Sequence, residues 1–183
     1  MADAQPVPRL VEIHDAVDVT GLVVAAPTDQ ELTGFVVHEA RLIDQHRFEE
    51  WLDLFADDGY YWMPLEWGQT DPRLTTSLMY EDKLLLRIRI ERLKGNRTFS
   101  QKPKSRCHHV LQTPQVDRRD EAANEYVTWT PMHYVETRYD DQQFYAAWAT
   151  HTLKAVDGQL RIKLKRVDLV NSEAAFGNIQ LFM

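Results

Sequence analysis

The first apolar pattern along the chain has the spacing of a helix and changes phase once. Residues Thr28 to Glu31 match a capping box, in which a threonine is followed three residues later by a glutamate. Two successive segments then each place their apolar residues on one helical face: Leu32, Phe35, Val36 and Ile43, with Glu39 beside them, and then Phe48, Trp51, Leu52 and Phe55. We predict two helices, or one kinked helix, that break near Asp44–His46, with Asp44 capping the second.

The next segment, from Gly59 to Leu93, predicts a short strand, a loop and a third helix. Gly59 is expected to end the helical unit, and Tyr60 to Met63 has strand composition that stops at Pro64. Residues 65–77 are typical of a loop. The segment from Met79 to Leu93 alternates like a strand in part. Its length, its strong helix formers and a glycine just after its end favour a helix, and we predict one.

The remainder of the chain is typical of long antiparallel strands. Segments 107–117, 124–139, 142–156 and 159–170 are rich in β-branched and aromatic residues, and Asp157-Gly158 is a good hairpin turn. Within 159–170, the alternation places Lys163 and Lys165 on a solvent or interface face. The alternation changes phase at Arg166, which predicts a bulge near Lys165–Arg166. Helices followed by long strands indicate an α+β domain over residues 28–183.

Composition narrows the classes of function. The chain has 183 residues, a formal net charge of −7 and one cysteine. The acidic balance argues against a nucleic-acid surface, and no apolar run is long enough for a membrane span. Residues 1–27 contain acidic residues and no signal-peptide pattern, so we expect an extended N-terminal arm and a cytoplasmic protein.

The residues needed for common cofactors are scarce. One cysteine, Cys107, cannot supply a Rieske cluster or a four-cysteine site, and we interpret it as a small packed strand residue. The seven histidines include no pair with metal-ligand spacing; His108 and His109, adjacent on a predicted strand, should point to opposite faces. No glycine-rich nucleotide loop is present. We therefore predict no catalytic, cofactor-binding or metal-binding residue in this chain, although a buried contact between Glu39 and His46 would be a candidate acid–base pair.

Several segments, in order, resemble the β (small) subunits of Rieske-type aromatic-ring-hydroxylating dioxygenases. The resemblance is spread over residues 35–183 and rests on four blocks: Glu39 to Asp44 with Phe48 to Phe55 and Tyr61 to Pro64, then Tyr80 to Lys83, then Pro103 to His109, and finally Asn178 to Met183. It implies a curved mixed or antiparallel sheet that forms a cone, with helices across its open side, related to scytalone dehydratase and nuclear transport factor.

The same resemblance implies a role inside a larger oxidoreductase. The expected complex has three α and three β chains. The α chains hold the Rieske [2Fe-2S] cluster, a mononuclear Fe(II) and the aromatic substrate, while a reductase, sometimes with a ferredoxin, delivers electrons from NADH or NADPH. The β chain is then a non-catalytic structural subunit.

A subunit of this kind needs faces that contact neighbouring chains, and aromatic and arginine residues are enriched at the centres of such contacts. The candidate interface residues are Trp62, Met63, Trp67, Tyr80, Arg87, Arg106 and His109, with Trp129 and Trp148 as further anchors. Two alternatives use the same fold: a stand-alone isomerase or dehydratase, and a binding protein for a small apolar ligand. An interior filled by aromatic and leucine side chains favours the subunit, and an open pocket lined by a histidine and a carboxylate favours the enzyme.

Overall fold

The structure, a computed structural model, describes residues 26–94 and 104–183. Its elements are, in chain order, α1 (Asp29–Asp44), α2 (Phe48–Asp53), β1 (Phe55–Pro64), β2 (Ser77–Asp82), α3 (Lys83–Lys94), β3 (Arg106–Leu111), β4 (Gln115–Asp120), β5 (Glu125–Arg138), β6 (Asp141–Val156) and β7 (Gln159–Leu169). The α+β class is confirmed. Most of the predicted arm at residues 1–27 lies outside the described residues.

The strands form one curved mixed sheet in the order β2-β1-β7-β6-β5-β3, with β4 pairing beside β3 along the same edge of β5. The β1–β7 pair is parallel and every other described pair is antiparallel. Helix α1 packs against β3, β4 and β5, α2 against β1, and α3 against β1 and β2. The helices therefore cover one face of the sheet, and the core lies between them and that face.

The predicted start of the helical unit is confirmed. The Thr28 hydroxyl accepts from the Glu31 N–H at 3.2 Å, and the Glu31 carboxylate accepts from the Thr28 N–H at 2.7 Å. The chain then bends between Asp44 and Phe48, where His46 has a φ of 56°. The prediction that Asp44 caps α2 is wrong, because the cap position is Arg47 and the Asp44 carboxylate binds elsewhere.

The helix predicted from Met79 is wrong in its first part. Residues 77–82 form β2, which pairs with β1 and stacks Tyr80 on Tyr60 at 4.9 Å between ring centroids. Helix α3 starts at Lys83, and the Asp82 carboxylate accepts from the Leu85 N–H at 2.9 Å. Pairing with β1 outweighs the local helix propensity of these residues, and Asp82 was the available sign of the boundary.

The strand predicted over 107–117 is two strands. β3 ends at Leu111 and β4 begins at Gln115, with Pro114 between them. Proline has no N–H to donate between strands, so the pairing with β5 is interrupted at this point. It resumes with β4 on the same edge of β5, nearer the start of that strand.

The predicted bulge in β7 lies two to three residues earlier than expected. Thr152 and Leu153 are consecutive on β6, yet they face Leu164 and Ile162 on β7, so Lys163 is the extra residue. The side chains after it are shifted by one position, and Lys165, Val167 and Leu169 all point into the core. The prediction that Lys165 lies on a solvent or interface face is therefore wrong, because its side chain is fully buried.

Candidate functional site

A buried ion pair lies between α1 and the inner face of the sheet. The Lys165 ammonium lies 2.6 and 2.8 Å from the two carboxylate oxygens of Glu39, and both side chains are buried. The Trp51 indole N–H donates to the same carboxylate, so α2 is tied to this pair as well. The two consecutive helices α1 and α2 thus meet β7, which is far from them in the sequence, at one charge pair.

A row of polar side chains continues from the ion pair across the sheet. Thr128 on β5, His151 on β6 and Lys165 on β7 are direct neighbours in register and point inward. The His151 Nε2 atom lies 3.6 Å from Glu39 Oε2, which is longer than a hydrogen bond. Both His151 ring nitrogens and the Thr128 hydroxyl have no hydrogen-bond partner within the described residues. The predicted contact between Glu39 and His46 is wrong, since Lys165 and His151 take that place.

Burial and charge act in opposite directions on this cluster. Burial alone would raise the pKa of Glu39, but the Lys165 ammonium and His151 outweigh it and hold the pKa well below its usual range. Burial lowers the pKa of His151, in spite of the nearby Glu39 carboxylate. Burial lowers the pKa of Lys165, against the attraction of the Glu39 carboxylate. The two contacts of 2.6 and 2.8 Å are those of an ion pair, and the lowered pKa of His151 leaves its ring neutral at pH 7.

A second polar cluster surrounds Asp44 at the end of α1. The Asp44 carboxylate accepts from the His109 backbone N–H at 3.1 Å, and it lies 2.6 Å from His109 Nδ1 and 3.2 Å from His108 Nδ1. His109 is buried and His108 exposed, as their predicted opposite faces require, yet one carboxylate reaches both. The cluster ties α1 to β3.

Cys107 lies beside Asp44, partly buried, with its Sγ atom 3.8 Å from the Ile43 carbonyl oxygen. Burial, with help from the Asp44 carboxylate, raises the pKa of this thiol to about 12. A thiol with such a pKa is a poor nucleophile and a poor metal ligand.

Neither cluster has the form of a metal site. Within residues 26–94 and 104–183, no three or more histidine, cysteine, aspartate or glutamate side chains are arranged to hold a metal ion. Over the same residues, no helix is long and apolar enough to cross a membrane.

The interior beside the ion pair is filled by aromatic side chains. Trp51, Tyr61 and Phe182 are all buried, and the Phe182 ring centroid lies 4.3 Å from that of Trp51 and 6.0 Å from that of Tyr61. A filled interior is the arrangement expected of a structural subunit.

The outer face of the sheet carries exposed aromatic and aliphatic residues. Pro131 and His133 alternate along β5 with the buried Met132 and Tyr134, so they point outward. We call the following group the outer-face patch: Trp67, Val110, His133, Phe144, Trp148 and Val170. Trp67 and Phe144 are about 60% exposed; Trp67 packs on Trp148 at 5.1 Å and Phe144 on His133 at 4.9 Å between centroids. A groove of about 380 Å³ runs through the patch.

The structure distributes the predicted interface residues between surface and core. Trp67, Tyr80, Arg87 and Arg106 lie on the surface. Met63, His109 and Trp62 are buried within the chain, which argues against direct contact of their side chains with a partner. The Arg166 guanidinium lies over the Trp62 ring, with its central carbon 4.4 Å from the ring centroid. Of the further anchors, Trp148 belongs to the outer-face patch and Trp129 is half-buried on β5.

Residues 38–174 match the protein family described as ring hydroxylating beta subunit. The chain belongs to this family. The family inferred from the sequence blocks between Glu39 and His109 is thereby confirmed.

Curated relatives of this β subunit include the small subunits of dioxygenases. It is 30% identical over 148 residues to the 2-halobenzoate 1,2-dioxygenase small subunit of Burkholderia cepacia. This alignment covers 77% of this chain and 87% of the relative. It is 26% identical over 149 residues to the benzoate 1,2-dioxygenase subunit beta of Acinetobacter baylyi, covering 78% and 86%.

Solved structures confirm the cone fold of the β subunit. The β subunit of a benzoate 1,2-dioxygenase from Burkholderia mallei superposes with a TM-score of 0.65 at 23% identity, covering 83% of this chain and 95% of that one. A naphthalene 1,2-dioxygenase chain gives 0.70 at 17% identity, with 85% of each chain covered. A scytalone dehydratase-like protein from Novosphingobium aromaticivorans gives 0.55 at 15% identity, covering 76% and 81%.

Proposed function

We propose that this β subunit is the non-catalytic structural partner of an iron-bearing α chain in an aromatic-ring-hydroxylating dioxygenase. The observation that carries the proposal is the family match over residues 38–174 together with an interior filled by Trp51, Tyr61 and Phe182. An isomerase or dehydratase on the same fold would need an open interior in which Glu39 or His151 meets a substrate. Here the Glu39 carboxylate already accepts hydrogen bonds from the Lys165 ammonium and the Trp51 N–H.

The proposed complex has three α and three β chains and acts in the cytoplasm. The α chains would hold the Rieske [2Fe-2S] cluster and the mononuclear Fe(II). A reductase, with or without a ferredoxin, would supply electrons from NADH or NADPH. The names of the relatives support an aromatic compound as the substrate, oxidised with O2 in the α chain as part of aromatic catabolism.

Two surfaces of this chain support contacts with neighbouring subunits. The first is the outer-face patch. The second is the outward side of α3, where Leu84, Leu85 and Ile88 are exposed next to Arg87. Apolar surface of this kind on an isolated chain is typical of a face that another chain covers.

The mass and the visible spectrum of the native complex test this function. Purified gently from its own host, the 21.4 kDa chain should elute with three copies of a chain about twice its size, in a brown, iron-containing species of roughly 200 kDa. The chain purified alone should be colourless and should bind no iron. If gentle purification from the host yields this chain only, as a colourless species without a larger partner, the proposal is overturned in favour of a cone-fold enzyme or binding protein.

A further inference from the structure

The last residues of the chain lie inside the cone like a bound ligand. Residues 171–183 have no regular secondary structure, yet Leu181, Phe182 and Met183 are fully buried. They have no strand or helix of their own and are held by side chains from α2 and from distant strands.

An aromatic box surrounds the Phe182 ring. Trp51 lies against one side in a tilted stack, with centroids 4.3 Å apart and an angle of 31° between the rings. Phe48 and Tyr61 meet Phe182 edge-on at 5.8 and 6.0 Å. A stacked partner with edge-on neighbours is the arrangement that a flat aromatic ring prefers.

Polar groups at the rim of the box hold the backbone on both sides of the ring. The Glu136 carboxylate accepts from the N–H groups of Gln180 and Leu181, at 3.2 Å for the nearer oxygen. The Tyr61 hydroxyl accepts from the Met183 N–H at 3.1 Å and donates to the Met183 carbonyl oxygen at 3.2 Å. These ring contacts and hydrogen bonds all come from residues that are far away in the sequence.

We propose that the interior of the cone is a binding site for a flat, uncharged aromatic ring, and that Phe182 occupies it as an intramolecular ligand. The box consists of Phe48 and Trp51 from α2 and Tyr61 from β1. Because Phe182 is tethered, its effective concentration at the box is high, and free aromatic molecules do not compete with it in the unaltered chain. Removal of the Phe182 ring exposes the site.

The test is binding of toluene to the full chain with Phe182→Ala. An apolar cavity lined by rings stays dry and accepts small aromatic molecules. Saturating toluene should raise the melting temperature of Phe182→Ala by roughly 5 °C and leave the unaltered chain unchanged. Methylcyclohexane, which is similar in size but not flat, should bind Phe182→Ala at least about tenfold more weakly than toluene, because the box favours a flat ring.

The matched control is Phe176→Ala. Phe176 belongs to the same irregular segment and touches an aromatic neighbour, Tyr145, at 5.9 Å, but it is half-buried and lies outside the box. Phe176→Ala should show no response to toluene.

Three outcomes would overturn the proposal. One is a folded Phe182→Ala chain that does not respond to toluene, since the interior would then have collapsed. Another is equal binding of toluene and methylcyclohexane, which would indicate an unspecific void. The third concerns folding: if Phe182→Ala does not fold alone, it should refold in the presence of toluene. Failure of that rescue, together with no toluene response in the milder Phe182→Leu, would reject the site.

Discussion

At the residue scale, the buried ion pair of Glu39 and Lys165 is sensitive to the loss of either partner. Each charge has lost its water, and the attraction between the two, with the Trp51 N–H, replaces that hydration. The pair joins α1 to β7, and Trp51 adds α2. Removing one partner would leave the other as an unpaired buried charge.

Glu39→Gln should therefore destabilise the chain by about 3–5 kcal/mol, measured by urea unfolding. The matched control is Asp58→Asn. Asp58 pairs with Lys163, which lies on β7 like Lys165, but the Asp58 side chain is 72% exposed. Exposed ion pairs contribute about 1 kcal/mol or less to stability. Similar losses for the two variants would contradict the assignment of Glu39 as a buried charge.

His151 should make stability depend on pH. Burial lowers the pKa of His151 below its ordinary value, so the folded chain binds fewer protons than the unfolded chain as the solution is acidified. Its contribution is complete above about pH 6.5, the ordinary pKa of histidine, and is lost as the pH falls towards the lower pKa of the folded state. The free energy of unfolding should fall from pH 7 to pH 5 more steeply in the unaltered chain than in His151→Gln. Parallel curves would contradict this.

At the scale of elements, the contact of β1 with β7 depends on a glycine. A Cβ atom on Gly59 would lie 2.5 Å from the Ile162 carbonyl oxygen, which is backbone and cannot rotate away. Gly59 lies where the register between β1 and β7 shifts, between Phe55 and Tyr60. The glycine permits the two strands to approach, and it lies inside β1 instead of before it as the sequence suggested.

Gly59→Ala should destabilise the chain by about 1–3 kcal/mol, because the strands must separate to admit the methyl group. Gly34→Ala is the control. A Cβ atom at Gly34, inside α1, meets nothing within 4 Å, so this substitution should stabilise the chain by about 0.5–1 kcal/mol through its helix propensity. Thermal unfolding of both variants measures the difference. Equal effects would mean that β1 and β7 are not in close contact.

At the scale of the whole molecule, we propose that a neighbouring chain covers the outer-face patch. Phe144→Asp should lower the native mass of the complex, because a carboxylate would be buried in the proposed subunit contact. Val156→Asp is the control; this residue is exposed near the end of β6, away from the patch. Size-exclusion chromatography with light scattering compares the two. An intact complex with Phe144→Asp would show that the patch is not a subunit contact.

Local pattern alone determined a large part of this protein. The capping box at Thr28, the helical apolar faces up to Leu52, the hairpin at Asp157-Gly158 and the long strands follow from interactions within a few residues. The prediction that Phe55 continues the second helical face is wrong, because β1 begins at this residue. The segments that resemble the family predicted the α+β cone and the class of subunit. The fold and the family match over residues 38–174 confirm both predictions.

Tertiary structure decided where distant residues meet. The bulge at Lys163 turned Lys165 inward towards Glu39, pairing with β1 made a strand of residues 77–82, and Phe182 reached Trp51 from the far end of the sequence. A shift of one residue reverses the face of every side chain after it in a strand, so small register changes have large effects on burial. Such effects depend on long-range packing, and no window of neighbouring residues contains them.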